Sequence, residues 1–115
     1  LDGAIIISTP QEVALLDVKR GIKMFDKLKV KILGLVDNMS FFMAEDGKKY
    51  NIFGEGGVKK TAQEFSKNFL GEIPIEPLVG KSGDNGKPIV EEFPEHKISK
   101  IYSEIAKKIY LDFKL

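Results

Sequence analysis

The chain has 115 residues, 43% hydrophobic and 30% charged, a balance that indicates one folded domain rather than a disordered or two-domain protein. Lys and Arg number 18 against 17 acids, and the resulting net charge of +1 does not select nucleic acid or an anionic membrane as a partner. With no cysteine and one histidine, the sequence excludes disulfides, thiol nucleophiles and thiolate metal sites, and no stretch suits a membrane span. The expected location is the cytoplasm.

The N-terminal segment predicts a buried strand followed by a helix. Residues 3–8 form a continuous apolar run that is typical of a strand in a parallel sheet. Thr9-Pro10-Gln11-Glu12 has the pattern of a capping box, which predicts a helix from Pro10 to about residue 28. Because the chain enters this strand at once and has no initiator Met, we expect it to be part of a longer protein.

A second strand and an unusual loop follow. Residues 30–36 form another apolar run, and two strands joined by a helix with short connections predict parallel pairing and a right-handed crossover. Asn38, directly after this strand, either closes a turn or offers its amide as donor and acceptor to a nucleobase. Phe41, Phe42 and Met43 either pack on the core or form a partner surface, because such residues are enriched in interface cores.

The glycine-rich stretch Gly54–Thr61 resembles a phosphate-binding loop but departs from the required pattern. Lys59 stands where G-x-x-x-x-G-K-[ST] needs its second glycine, and no buried strand leads directly into the stretch. We therefore interpret these glycines as the start of a helix that runs to about residue 68. Its predicted apolar face comprises Val58, Ala62 and Phe65.

The C-terminal part predicts a third strand, an irregular segment and a long helix. Residues 69–73 form the strand, and residues 75–88, which are rich in proline and glycine, are predicted to be irregular with at most one helical turn. The last helix is expected from Pro94 to about residue 110. Its apolar stripe comprises Ile98, Ile101, Tyr102, Ile105 and Ile109. Three parallel strands with intervening helices predict an α/β fold whose ligands bind at the carboxyl ends of the strands.

Five blocks, in order, resemble the C-terminal half of the Mrp/ApbC family, relatives of MinD among the deviant Walker P-loop ATPases. They are "DGAIIISTPQEVALLDVKRGIKMF", "ILGLVDNMSFF", "IFGEGG", "FLGEIPIEP" and "GDNGKPIV". The resemblance implies that residues 1–115 form one partial domain, the C-terminal half of a doubly wound, mainly parallel P-loop NTPase sheet with flanking helices. The family's phosphate loop, switch segments and catalytic Lys and Asp lie upstream of the first block. No catalytic residue is therefore expected here, in keeping with a sequence that shows neither a nucleophile beside a base nor a pair of carboxylates.

The resemblance also implies a function for the whole protein. Family members bind and hydrolyse ATP with Mg and carry an iron–sulfur cluster to apoproteins as homodimers, with no nucleic-acid or membrane partner. By the family pattern, Asn38 hydrogen-bonds the adenine amino edge, while Pro74, Ile75 and Glu76 enclose the ring and face the ribose. Thr9-Pro10-Gln11 is expected near the phosphates and the dimer interface.

Two features depart from the family pattern. Most members place a Cys-x-x-Cys pair between Asn-Met-Ser and Ile-Phe-Gly, where this chain has Ala44 and Gly47 near the ligand positions. Because iron–sulfur clusters are held by thiolates, we expect no cluster at this site and no metal ligand in the chain. Gly80 stands where the family often has Arg, and Lys81 beside it is a partial substitute.

Two other functions stay open at this point. One is a non-catalytic α/β interaction module that keeps these loops for protein contact. The other is a MinD-like regulatory ATPase, which is less favoured because the Ile and Tyr stripe of the Lys-rich last helix suits core packing better than a membrane surface. Since a sheet of only these strands exposes an edge and an apolar face, we also expect self-association.

Overall fold

The structure, a computed structural model, describes residues 2–113, without the side chain of Phe113. Its strands are β1 (Ala4–Ser8), β2 (Ile32–Asn38), β3 (Phe42–Met43), β4 (Lys49–Tyr50) and β5 (Phe69–Ile73). Its helices are α1 (Glu12–Lys27), α2 (Gly57–Glu64), α3 (Pro77–Asp84), α4 (Ile89–Glu92) and α5 (Lys97–Phe113). Within these residues, a parallel sheet has the order β1-β2-β5, and β3 and β4 form an antiparallel hairpin. The predicted α/β fold with parallel strands is confirmed.

The central strand β2 is buried on both faces. Leu35 packs against Ile22 of α1 and Val58 of α2, whereas Val36 faces Ile105 of α5 on the other side of the sheet. Cover on both faces explains why the strand reads as a continuous apolar run. Gly34 is required by packing, because a Cβ there would lie 2.5 Å from Cγ of Leu70 on β5.

Strand β1 has a strand neighbour on one side and a helix on one face. Ile6 packs toward α1, but the side chains of Ile5 and Ile7, which point to the other face, are 39% and 63% exposed. In this part of the chain, the expected free edge and exposed apolar face are thus present at β1.

Two helix boundaries differ from the sequence prediction. The prediction of a capping box at Thr9 is wrong. Gln11 is the N-cap of α1, and the Thr9 hydroxyl donates to Oε1 of Gln11 (3.0 Å) instead of capping the helix. Helix α2 begins at Gly57 as expected but ends at Glu64, and Ser66 closes the chain reversal with a left-handed φ of 56°. The side-chain contact of Thr9 with Gln11 determines the start of α1, and the turn at Ser66 determines the end of α2. The spacing of apolar residues in the sequence shows neither.

The prediction of an irregular segment at residues 75–88 is also wrong. Helix α3 fills most of it, and α4 follows directly. Pro77 lies in the first turn of α3, where a missing N–H costs nothing, and Pro88 is the N-cap of α4. The prolines therefore mark helix starts. Helix α5 begins at Lys97 rather than Pro94, with Nδ1 of His96 accepting the Ile98 N–H (3.0 Å).

Candidate functional site

The carboxyl ends of β2 and β5 lie side by side and form the floor of a cavity. Asn38 ends β2 and is in register with Ile73, the last residue of β5. The cavity, about 270 Å³ in volume, lies between these strand ends and α3. Its lining includes Asn38, Met39, Pro74, Ile75, Glu76 and Tyr102. The structure thus brings together all four residues that the sequence singled out for nucleotide contact.

The cavity suits a planar ring with one polar edge. Pro74 and Ile75 supply half-buried apolar walls. The half-buried side-chain amide of Asn38 makes no hydrogen bond with another described residue, so both its donor and its acceptor are available. Glu76, half-buried, is the N-cap residue of α3. Since complete small-molecule pockets run from about 300 to 1,000 Å³, this cavity matches part of a nucleotide rather than a whole one.

The turn after β2 is fastened to the segment after β5. Met39 has a left-handed φ of 54°, which is uncommon for a residue other than glycine. The Ser40 N–H donates to the Ile73 carbonyl (3.0 Å), and the Ile75 N–H donates to the Phe41 carbonyl (2.7 Å). These two bonds hold the turn against one wall of the cavity.

A pair of carboxyl groups beside this turn, the buried Asp37 and the exposed Glu72, was missed by sequence reasoning. Asp37 is in register with Glu72 on β5, and the Ser40 hydroxyl lies 3.2 Å from Oδ2 of Asp37 and 2.8 Å from Oε2 of Glu72. Asp37 is 1% exposed, and its Oδ1 has no hydrogen-bond partner among the described residues. The sequence analysis did not identify this pair, and the prediction that the chain has no catalytic residue stays a prediction. An acid at the end of each neighbouring strand was the available signal, but it needs the register.

The environment of Asp37 makes its carboxyl easier to protonate. Burial raises the pKa of the Asp37 carboxyl from 3.8 to about 6; the Ser40 hydrogen bond lowers it, the Glu72 charge raises it and the Lys49 charge lowers it. When Asp37 is protonated on Oδ2, it can donate to the Ser40 hydroxyl, which in turn donates to Glu72. Asp37, Ser40 and Glu72 are then joined by two hydrogen bonds. When Asp37 is ionised, the two carboxylates have only the Ser40 proton between them.

The hairpin of β3 and β4 contains the two positions that depart from the family pattern. The Ala44 N–H donates to the Lys48 carbonyl and the Gly47 N–H to the Ala44 carbonyl (both 3.0 Å), and Gly47 has a φ of 80°. Neither side chain offers a metal ligand, and residues 2–113 contain no cluster of three or more potential His, Cys, Asp or Glu ligands. The residues at the hairpin turn therefore do not fit an iron–sulfur cluster.

The structure divides the aromatic loop between core and surface. Phe41 and Phe42 are half-buried, and Phe41 lines a second cavity of about 320 Å³ between the hairpin and α5. The Lys49 ammonium lies 4.3 Å from the centroid of the Phe41 ring. Met43 is 45% exposed. The phenyl rings are thus partly packed on the domain and Met43 is exposed, and the partner surface stays a prediction.

The glycines before α2 have a packing role. A Cβ on Gly54 would lie 2.8 Å from the Pro10 carbonyl, and one on Gly57 would lie 2.6 Å from Cδ1 of Leu15. Gly56, at φ 70°, is the N-cap of α2. The interpretation of this stretch as the start of a helix is confirmed.

Solved structures define the class of fold. The ADP complex of the nucleotide-binding protein from Archaeoglobus fulgidus matches with a TM-score of 0.67 and 37% identity, over 80% of this chain and 37% of that chain. The cell division ATPase MinD from Pyrococcus furiosus matches with a TM-score of 0.75 and 21% identity, over 96% of this chain and 43% of that chain. The fold is that of part of a MinD-like P-loop NTPase. No helix within residues 2–113 is both long and apolar enough to cross a membrane.

Sequence comparison then gives the family. The model of the ParA family described as "NUBPL iron-transfer P-loop NTPase" matches residues 1–110. The iron-sulfur cluster transfer protein NUBPL of Dictyostelium discoideum is 47% identical, over 95% of this chain and 34% of its own length. The iron-sulfur cluster carrier protein of Aquifex aeolicus is 42% identical, over 93% of this chain and 30% of its own length. The chain belongs to this family of iron-transfer P-loop NTPases, which confirms the Mrp/ApbC resemblance, and it spans about a third of these relatives.

Proposed function

We propose that this chain is the base-binding, C-terminal half of an ATP-dependent iron–sulfur cluster carrier. The observation that carries the proposal is the cavity at the ends of β2 and β5, into which Asn38 offers an unpaired amide. The phosphate loop, the Mg site and the catalytic residues then belong to upstream sequence. The free edge and the exposed Ile7 of β1 support this division, because further strands of one sheet would cover both.

Each of the four predicted contact residues has a role in this proposal. The Asn38 amide accepts a hydrogen bond from the adenine amino group and donates one to a ring nitrogen, a pairing that asparagine makes with adenine. Pro74 and Ile75 pack on the faces of the ring, and Glu76 accepts hydrogen bonds from ribose hydroxyls. Neighbouring Lys81 is exposed on α3, where it can meet an anionic group.

The iron–sulfur cluster is cargo in this proposal rather than a resident cofactor of the chain. Because the hairpin supplies no thiolate, the proposal includes no cluster held by Ala44 and Gly47. Homodimer formation, delivery to apoprotein clients and the cytoplasmic location stay predictions. Thr9-Pro10-Gln11 is placed near the phosphates and the dimer contact by family pattern alone.

Nucleotide titration of the full-length protein tests the base site. Asn38→Ala is expected to weaken ADP binding about tenfold and to reduce the preference for ADP over IDP, because a bidentate contact to adenine is worth about 1–3 kcal/mol. Asn51→Ala is the matched control, since Asn51 is exposed and outside the cavity lining. Equal ADP affinity of the Asn38→Ala variant and the wild type would contradict the assignment. If the wild-type protein binds no nucleotide, the interaction-module alternative gains.

A further inference from the structure

We propose that Ser40 is a positioning residue that sets the orientation of Asn38 and couples the base cavity to the hairpin. The coupling runs through Glu72 and Lys49. This inference rests on the proposed nucleotide site and deepens it, because it assigns a role to residues that do not line the cavity.

The first step concerns the turn that carries Asn38. Met39, the next residue, has a φ of 54°, a backbone conformation that residues other than glycine rarely adopt unless the surroundings impose it. The restraint comes from Ser40, whose N–H is bonded to the Ile73 carbonyl and whose hydroxyl is bonded to strand residues on both sides. Ser40 is 4% exposed. Its bonds therefore determine where the turn, and with it Asn38, is held.

The second step concerns the hydroxyl of Ser40. Its oxygen lies between the carboxyl groups of Asp37 and Glu72, at 3.2 and 2.8 Å, and its single proton can be donated to one of them at a time. Removing the hydroxyl leaves the Asp37 and Glu72 carboxyl groups in register without this bridging group, and when both carboxyl groups are ionised their charges repel one another. We expect the strand ends and the turn to shift apart as a result.

The third step connects this pair of carboxyl groups to the hairpin. Oε1 of Glu72 lies 3.9 Å from Nζ of Lys49 on β4, while Oε2 of the same carboxylate accepts from Ser40. The Lys49 ammonium also lies over the Phe41 ring, and Lys49 is the cross-strand partner of Met43 on β3. The Glu72 carboxylate thus contacts both the turn after Asn38, through Ser40, and the second strand of the hairpin, through Lys49.

Linkage gives this arrangement a measurable consequence. If a bound nucleotide stabilises the turn at Asn38, it must also stabilise the hairpin in the position where Lys49 contacts Glu72. By linkage, holding the hairpin in that position must raise nucleotide affinity by the same factor. The hairpin does not need to touch the nucleotide for this to hold. Its contribution comes from keeping Glu72 in place for Ser40.

The test uses the full-length protein and a residue outside the cavity. Lys49→Met is expected to weaken ADP binding about two- to fivefold, because partly exposed ion pairs contribute modestly, while Ser40→Ala weakens it about tenfold. Lys49→Arg keeps the charge and should restore affinity. Lys48→Met, at an exposed neighbour in the hairpin, is the matched control. Calorimetry gives the affinities.

Hydrogen exchange supplies the reciprocal measurement. In the wild type, ADP is expected to slow exchange at residues 42–50, and Lys49→Met should reduce this protection while Lys48→Met leaves it unchanged. If Asn38→Ala weakens ADP binding but Lys49→Met and Ser40→Ala do not, the coupling is overturned and the base site stands. If the wild type binds no ADP, the proposed function and this inference both fall.

Discussion

The two sides of the parallel sheet differ in how completely this chain covers them. On the β5 side, Leu70 is 1% exposed beneath α5, and Nζ of Lys108 donates to the Leu70 carbonyl (3.0 Å). On the β1 side, Ile5 and Ile7 remain exposed. The candidate site lies between the covered strands. The difference indicates that the β1 surface is suited to further structure, whereas the candidate cavity adjoins strands that this chain already covers.

The largest expected effect comes from removing a side chain that the helices cover completely. Leu35 is fully buried in the cluster between β2, α1 and α2, so Leu35→Ala should lower the free energy of unfolding by about 2–5 kcal/mol. Leu16→Ala, at a helix position that is 56% exposed, should change it by less than about 0.5 kcal/mol. Urea denaturation measures both. Similar losses for the two variants would remove the contrast between covered and uncovered surface.

A smaller effect tests the buried carboxylate. Since the pKa of Asp37 is about 6 in the folded protein against 3.8 ordinarily, the folded state binds more protons than the unfolded state between these values. The free energy of unfolding should therefore fall by about 2–3 kcal/mol from this group as the pH rises from 4 to 7. Asp37→Asn should remove that slope, and Asp84→Asn, at an exposed position, should keep it. Parallel stability curves for Asp37→Asn and wild type would contradict the raised pKa.

The smallest effect concerns the uncovered side. Ile7→Lys places a charge on the exposed apolar face of β1, so self-association of the 115-residue chain should weaken about tenfold with little change in thermal stability. Analytical ultracentrifugation gives the dissociation constants. Met24→Lys, on α1 and 51% exposed, is the control for added charge. If both variants associate like the wild type, β1 is not the contact surface.

The sequence predicted those elements whose signal is local. Strand β5 was predicted at residues 69–73 as observed, and the stripe of α5 was identified because Ile98 and Ile105 repeat at helical spacing on its buried face. The hairpin was missed, since strands of two residues have no period to detect. Helices α3 and α4 were missed because proline and glycine usually indicate the end of a helix. Proline is compatible with a helix at its first turn, and the sequence did not show where these helices start.

The site shows the same division. The rule that ligands bind at the carboxyl ends of parallel strands led to the prediction of a site at Asn38 and Pro74, and the family resemblance supplied their proposed roles. The contacts of Ser40 with Asp37 and Glu72 could not be predicted in this way. They depend on the register of two strands that are distant in the chain, and only the fold fixes it.

The conformation of Gly47 limits how the hairpin could acquire a pair of thiolates. A cysteine at Ala44 meets no backbone obstacle, because that residue has an ordinary φ, whereas Gly47 has a φ of 80°. A cysteine there would carry a Cβ in a region that side chains avoid. Placing both sulfurs would therefore add backbone strain at the turn. The backbone of this hairpin, as well as its side chains, thus disfavours a pair of thiolates.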